Sequence, residues 1–174
     1  MPGLKLEKLL GLNTVKKKIN KMRIINLNLY EEFFKSELGK KFVNLLMVDG
    51  KKVIAKKILL ICLFLIKTSE KKDPILILKN ALNNVTPGVN VRHAIIKRTK
   101  FQIPVPLKKT KRMATGIKWI VDASKQKSKK APIYLKLKEE ILAANVKQGS
   151  SFKKKKSIHQ LANSNRAFSH YRWF

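Results

Sequence analysis

Side chains able to catalyse or to hold a metal are few and scattered. The histidines are His93, His159 and His170, the single cysteine is Cys62, and Asp and Glu together number 10 in 174 residues. No His-x-x-x-His or Cys/His ligand spacing occurs among them, so no metal site is expected, and one cysteine cannot form an intramolecular disulfide. Neither His159 nor His170 has an acid beside it in the sequence. Both are expected to be solvated or hydrogen-bonded structural groups. Cys62 lies in an apolar run and reads as a small buried hydrophobe, not a nucleophile. Asp49 and Asp73 read as caps rather than acids. The expectation is a protein without enzymatic activity and without a cofactor.

The abundant chemistry is cationic. Lys and Arg number 40, for a net charge of +30, while 44% of residues are hydrophobic. That apolar fraction suits a globular domain rather than a disordered basic tail. An excess charge of this size repels itself in a free monomer, and a polyanionic partner relieves it. The excess is uneven: residues 1–106 carry 22 basic and 7 acidic residues, and residues 107–174 carry 18 and 3, so each part has a net +15. The basic residues divide into 34 Lys and 6 Arg, beside 17 Ile and 12 Asn. Electrostatics alone does not choose Lys over Arg so strongly, since Arg is the better bidentate phosphate reader. An AT-rich coding sequence does, which points to an organellar genome or an AT-rich microbe.

The elements that must position these charges follow from periodicity. Residues 1–32 form a basic arm, with Lys16, Lys17, Lys18, Lys21 and Arg23 and no clear hydrophobic face. Residues 33–174 form one helical domain. Phe34, Leu38, Phe42, Leu45 and Leu46 recur at helical spacing over about 33–48, and Asp49-Gly50 breaks the helix. A second helix runs over about 52–67. Asp73-Pro74 starts a third, with Asp as N-cap and Pro at the first helical position, and Pro87-Gly88 ends it. Val89, Val91, Phe101, Ile103, Val105 and Leu107 then alternate, as strands do. Arms 89–96 and 101–107 flank Lys97-Arg98-Thr99-Lys100, a β-hairpin with a charged tip. Pro104 and Pro106 make it an isolated ribbon or an edge. Helical spacing returns at Met113, Ile117, Ile120 and Val121, where Trp119 is expected in the core. It returns again after Pro132, at Ile133, Leu137, Ile141 and Ala144, a helix that Gly149 caps. Ser150 or Ser151 N-caps a last helix whose first turn carries Lys153, Lys154, Lys155 and Lys156. The fold class is mainly α: a bundle of about six helices, with an extended β-hairpin between the third and fourth.

The longest apolar stretch, Ile58–Ile66, is nine residues between lysines. A bilayer span needs about 20, so a buried helix is expected and no membrane partner. Residues 1–12 show neither a secretory h-region nor the Arg/Ser richness of a transit peptide, so an organellar version is expected to be made in the organelle.

Five collinear motifs carry a resemblance. They are Met47-Val48-Asp49-Gly50-Lys51-Lys52-Val53-Ile54-Ala55, then Asn80-Ala81-Leu82-Asn83-Asn84-Val85-Thr86-Pro87 with Val89-Asn90-Val91-Arg92. Phe101-Gln102-Ile103-Pro104-Val105-Pro106 and Gly116-Ile117-Lys118-Trp119-Ile120-Val121-Asp122-Ala123-Ser124 follow. The last runs from His159-Gln160-Leu161-Ala162-Asn163-Ser164-Asn165-Arg166 to Ala167-Phe168-Ser169-His170-Tyr171-Arg172-Trp173. In this order and spacing, residues of about 35–174 closely resemble the universal small-subunit ribosomal protein seven family. The resemblance implies a helical protein with a β-hairpin in the head of the small ribosomal subunit. Such a protein binds the 3′ major domain of small-subunit rRNA and nucleates head assembly. It further implies a hairpin near the exit-site tRNA and the mRNA exit path, with neighbouring head proteins and a platform ribosomal protein as partners. With the codon bias, it implies the ribosome of the mitochondrial matrix, with a plastid or an AT-rich bacterial cytoplasm as the alternative. The family often has a Gly pair near the hairpin tip, where this chain has Lys97-Arg98, and the leader before about residue 33 does not match well.

Phosphate neutralisation is then the main work of the charged residues. Lys51 and Lys52 follow the Asp49-Gly50 break at a helix start, where backbone N–H groups also favour an anion. Arg92 lies on the hairpin, with Lys97, Arg98 and Lys100 at its tip near tRNA and mRNA. Lys108, Lys109, Lys111 and Arg112 cover its exit, and Lys153–Lys156 are the densest cluster. Four lysines in a first turn oppose the helix dipole, a conflict that an adjacent anion relieves. Arg166, Tyr171, Arg172 and Trp173 interleave charge with aromatic faces suited to stacking on bases. A lysine run is equally a solvated face, and Trp173 equally a packing residue. Two other classes compete: a free-standing RNA-binding or RNA-chaperone protein, and a peripheral protein on an anionic membrane, which needs a basic helix with a broad exposed apolar face.

Overall fold

The computed structural model describes residues 27–96, 98–126 and 131–171. The chain forms two compact units, Met1–Lys40 and Lys41–Phe174. Its described elements, in chain order, are helices α1 (Leu27–Lys35), α2 (Glu37–Leu46), α3 (Lys52–Glu70) and α4 (Pro74–Val85), strands β1 (Val89–Ile96) and β2 (Thr99–Pro106), helices α5 (Lys109–Gln126), α6 (Ile133–Asn145) and α7 (Ser150–Ser164), and a 3-10 helix (Arg166–Tyr171). The protein is therefore mainly helical, with a two-stranded antiparallel hairpin between the fourth and fifth helices.

The expected helix over 33–48 is two helices, and the first begins earlier, at Leu27. The break falls at Ser36, whose hydroxyl donates to the Phe33 carbonyl at 2.5 Å and accepts from Gly39 N–H at 3.2 Å. A serine that bonds its local backbone competes with the helical ladder. Gly39 is required there, because a Cβ would collide with the Phe33 carbonyl. The Phe33 and Phe34 rings meet edge to face at 5.7 Å.

In the second unit, Asp49 and Gly50 both have positive φ, 51° and 70°, which ends α2 and starts α3 as expected. The α3 helix runs past residue 67 to Glu70 and stops at Lys71, a left-handed residue whose N–H donates to the Lys67 carbonyl. Asp73 caps α4 through a 3.0 Å bond from Ile75 N–H, with Pro74 in the first turn. The core is built around α6, which packs on α3, α4 and α5. Leu59, Leu63 and Ile66 of α3, Leu78 and Val85 of α4, Ile117 and Ile120 of α5, and Leu137 and Ile141 of α6 are fully enclosed. Each such side chain contributes about 1.5–3 kcal/mol relative to exposure. Trp119 is buried, as expected, and Cys62 is fully buried among these side chains.

The hairpin is longer toward its tip than the alternation indicates. Ile95 pairs with Lys100 and Ile96 with Thr99, so Thr99 and Lys100 are strand residues and not part of the turn. Arg98 sits at φ 68°, the left-handed conformation that a two-residue hairpin turn demands and that Gly or Asn usually supplies. Among the described residues the ribbon is the whole sheet, which accommodates Pro104 and Pro106 opposite Val91 and Val89.

Candidate nucleic-acid interface

The junction of α4, α6 and α7 is held by polar bonds that hydrophobic spacing does not announce. Asn84 Nδ2 donates to the carbonyls of Ala144 and Asn145 at 3.1 and 3.0 Å, closing the end of α6 from α4. Lys155 Nζ donates to the Asn84 carbonyl at 2.7 Å. The start of α7 is held by Glu140 of α6, whose Oε1 accepts from Ser151 N–H at 2.9 Å and from Ser151 Oγ at 2.8 Å. Glu140 and Ser151 are each 1% exposed. The N-cap expected at Ser150 or Ser151 is displaced, because both serines lie inside the helix. Gly149 occupies that position at φ 94° and makes no side-chain cap, so a carboxylate from another helix replaces one. A Cβ on Gly149 would stand 2.8 Å from Glu140 Oε1.

This geometry corrects the reading of the lysine cluster. Because α7 starts at Ser150, Lys153 closes its first turn and Lys154–Lys156 lie in the second, where the dipole has weakened. The group that meets the helix start is the Glu140 carboxyl. The four lysines also separate in role. Lys153 and Lys156 are exposed, Lys154 Nζ lies 5.6 Å from the Trp119 ring centroid, and Lys155 is half-buried against α4. Burial first, and then Lys147, lowers the Lys155 pKa below its ordinary value.

The other expected contacts lie on several elements. Lys51 is the N-cap residue of α3 and Lys52 its first residue, both exposed, with no side chain capping the helix. Lys52 N–H is used, donating to the Gly50 carbonyl at 2.7 Å. Arg92, Arg98 and Lys100 are exposed on the hairpin, and Lys108, Lys109 and Lys111 are exposed where it returns to α5. Arg112 is half-buried, and its Nε donates to the Leu107 carbonyl at 2.7 Å, bracing that return. Arg166 is exposed at the start of the 3-10 helix. Lys97, Arg172 and Trp173 lie outside the described residues, as does the arm before residue 27.

Tyr171 is not an open stacking platform. Its ring is 5.7 Å from Phe101 of β2, 6.5 Å from Phe168 and 4.0 Å from His170. Phe101 and Phe168 meet edge to face at 5.1 Å, and Asn165 Nδ2 donates to Gln102 Oε1 at 3.2 Å. The 3-10 helix is thereby fastened to β2. His170 Nδ1 is 2.8 Å from the Ala167 carbonyl. His159 Nε2 accepts from Gly88 N–H at 3.3 Å, which places its proton on Nδ1. Burial, and then Lys155, lowers the His159 pKa from its usual 6.5. Both histidines are therefore structural. Burial pushes the Cys62 thiol up to about 12, partly offset by Lys138, which makes it inert.

Exposed lysines and arginines thus surround a core sealed by α6, on the start of α3, both strands, the start of α5 and one side of α7. Among the described residues no three His, Cys, Asp or Glu side chains are grouped to hold a metal. No described helix is long and apolar enough to cross a membrane. Such a surface suits phosphate binding. The family model described as "Ribosomal protein S7p/S5e" matches residues 14–166. Proteins named "Small ribosomal subunit protein uS7" from Vibrio atlanticus, Aliivibrio salmonicida and Methylococcus capsulatus are each 39% identical over 140 residues, 80% of this chain and 89% of theirs. The chain belongs to the S7p/S5e ribosomal protein family, which is structural and non-enzymatic. The match begins at residue 14, inside the leader that the motifs left unmatched.

Proposed function

We propose that this protein is a structural, rRNA-binding constituent of a small ribosomal subunit. The observation that carries the reading is the family match across residues 14–166, and the exposed cations supply the physical means. The rRNA surface comprises Lys51, Lys52, Arg92, Lys108, Lys109, Lys111, Lys153, Lys156, Arg166 and Arg172, with Trp173 as an aromatic contact. Arg112, Lys154, Lys155 and Tyr171 serve it partly by holding the scaffold. The bound RNA is the 3′ major domain, on which the protein nucleates the head of the subunit, beside other head proteins and a platform protein. The hairpin, with Lys97, Arg98 and Lys100, reaches toward exit-site tRNA and mRNA. The basic arm expected over residues 1–32 is taken as residues 1–26, since 27–32 belong to α1; it contacts RNA, and the rest of the chain is the RNA-binding domain. The ribosome is that of a mitochondrion, a reading supported by the preference for Lys, Ile and Asn.

Purified protein should bind a transcript of its rRNA head domain with an affinity that falls steeply with salt. The logarithmic slope should be about 0.7–0.9 per phosphate contacted. In cells the protein should sediment with the small subunit. A flat salt response, or sedimentation apart from ribosomal particles, would contradict the proposal.

A further inference from the structure

One face of α7 faces a cavity instead of the core. Phe152, Lys155, Lys156 and His159 are spaced i, i+3, i+4 and i+7, so they share one side of the helix. They line an open cavity of about 430 Å³, completed by Asn83 and Asn84 at the end of α4 and by Lys147 in the turn before α7. That volume falls within the roughly 300–1,000 Å³ usual for small-ligand sites. Three lysines line it and no carboxylate does. Glu140, the nearby acid on α6, is committed to Ser151.

Two features distinguish the cavity from a solvated lysine run. Lys155 is fixed: one of its donors goes to the Asn84 carbonyl, which leaves two for a ligand. Phe152 is half-buried in the same wall and gives the site an apolar, aromatic side beside its cationic one. Burial and Lys147 disfavour the charged form of Lys155, and an anion between these two ammonium groups would relieve that cost. His159 is held neutral by the Gly88 N–H and shapes the wall without adding charge.

We propose that this cavity takes one nucleotide of the bound RNA strand, with its phosphate among Lys147, Lys155 and Lys156 and its base against the Phe152 ring. The assignment rests on the rRNA-binding reading and adds a discrete nucleotide site to it.

The test uses the full chain and an rRNA head-domain transcript. Lys147→Gln with Lys156→Gln removes charge while keeping side-chain length, and spares the anchored Lys155. A control pair, Lys67→Gln with Lys72→Gln, removes the same charge at exposed residues, one in the last turn of α3 and one just past it, that do not line the cavity. The cavity pair should lower the salt slope by about 0.7, one phosphate, relative to the control. Phe152→Leu should weaken binding at least about fivefold and Phe152→Tyr should restore it, as expected for loss and return of a stacked base. Circular dichroism confirms folding of each variant. Equal behaviour of cavity and control pairs, with wild-type binding still steeply salt-dependent, overturns the nucleotide site alone. Loss of salt dependence in the wild type overturns the rRNA reading as well. Adenosine 5′-monophosphate is the second probe: saturable binding to the wild type at micromolar concentration, lost in the cavity pair, would assign the site to a free nucleotide and overturn the strand assignment.

Discussion

Replacing Glu140 by alanine tests whether a single buried carboxylate holds α7 in place. Its Oε1 accepts two hydrogen bonds, from Ser151 N–H and Oγ, and both residues are 1% exposed. A hydrogen bond contributes about 0.5–1.5 kcal/mol net, and a buried donor left without its acceptor costs about 1–3 kcal/mol. The net expectation for Glu140→Ala is a loss of about 3 kcal/mol. Glu140→Gln keeps an acceptor without the charge and should lose about 1 kcal/mol. The measurement is urea unfolding followed by circular dichroism at fixed ionic strength, because the protein already carries +30. Glu139→Gln, an exposed neighbour on the same helix, controls for net charge and should cost less than about 1 kcal/mol. A double-mutant cycle of Glu140→Gln with Ser151→Ala should show a coupling of about 1 kcal/mol or more. A Glu140→Ala variant within about 0.5 kcal/mol of the wild type, or an additive cycle, would refute the cap.

Three further outcomes follow from the same structure. His159 has a folded pKa below 6.5, so the unfolded chain binds its proton first. Its contribution should be complete above pH 6.5 and fade as pH falls toward the folded value, and NMR titration with His159→Leu as comparison should show a flatter stability profile in the variant. Cys62, buried and with its thiol near 12, should stay unmodified by a thiol reagent at pH 8 until urea unfolds the protein; rapid native labelling would show an open path. Phe168→Ala removes the ring contacts with Phe101 and Tyr171 and should cost about 1–2 kcal/mol of local stability, seen as faster hydrogen exchange in β2 and the 3-10 helix with α6 unchanged.

Local pattern carried the helical fold well wherever an element announces itself. Asp73-Pro74 states a helix start, Asp49-Gly50 a stop, and the alternation around Phe101 and Ile103 a ribbon. Boundaries were less legible. Ser36 splits a helix whose apolar spacing continues through it, since a hydroxyl bonding its own backbone leaves no trace in periodicity. Thr99 and Lys100 read as turn residues, but strand pairing extends to them because Arg98 takes the left-handed conformation.

The candidate surface shows the same division. Charge, and its density after the hairpin, is a property of composition, so the sequence by itself determined that the protein is suited to a polyanionic partner. It also determined the helix–ribbon–helix order, because each element follows from residues a few positions apart. Tertiary structure alone decided which cations are free to meet a ligand. Lys155 is spent partly on the Asn84 carbonyl and Tyr171 on a cluster with Phe101, each some seventy positions earlier, while Arg112 is turned onto the Leu107 carbonyl just before its own helix. Glu140 reads as one acid on a helix face until the fold brings it to Ser151. The Glu140 pairing depends on how α6 and α7 turn about Gly149, and hydrophobic periodicity does not encode that geometry.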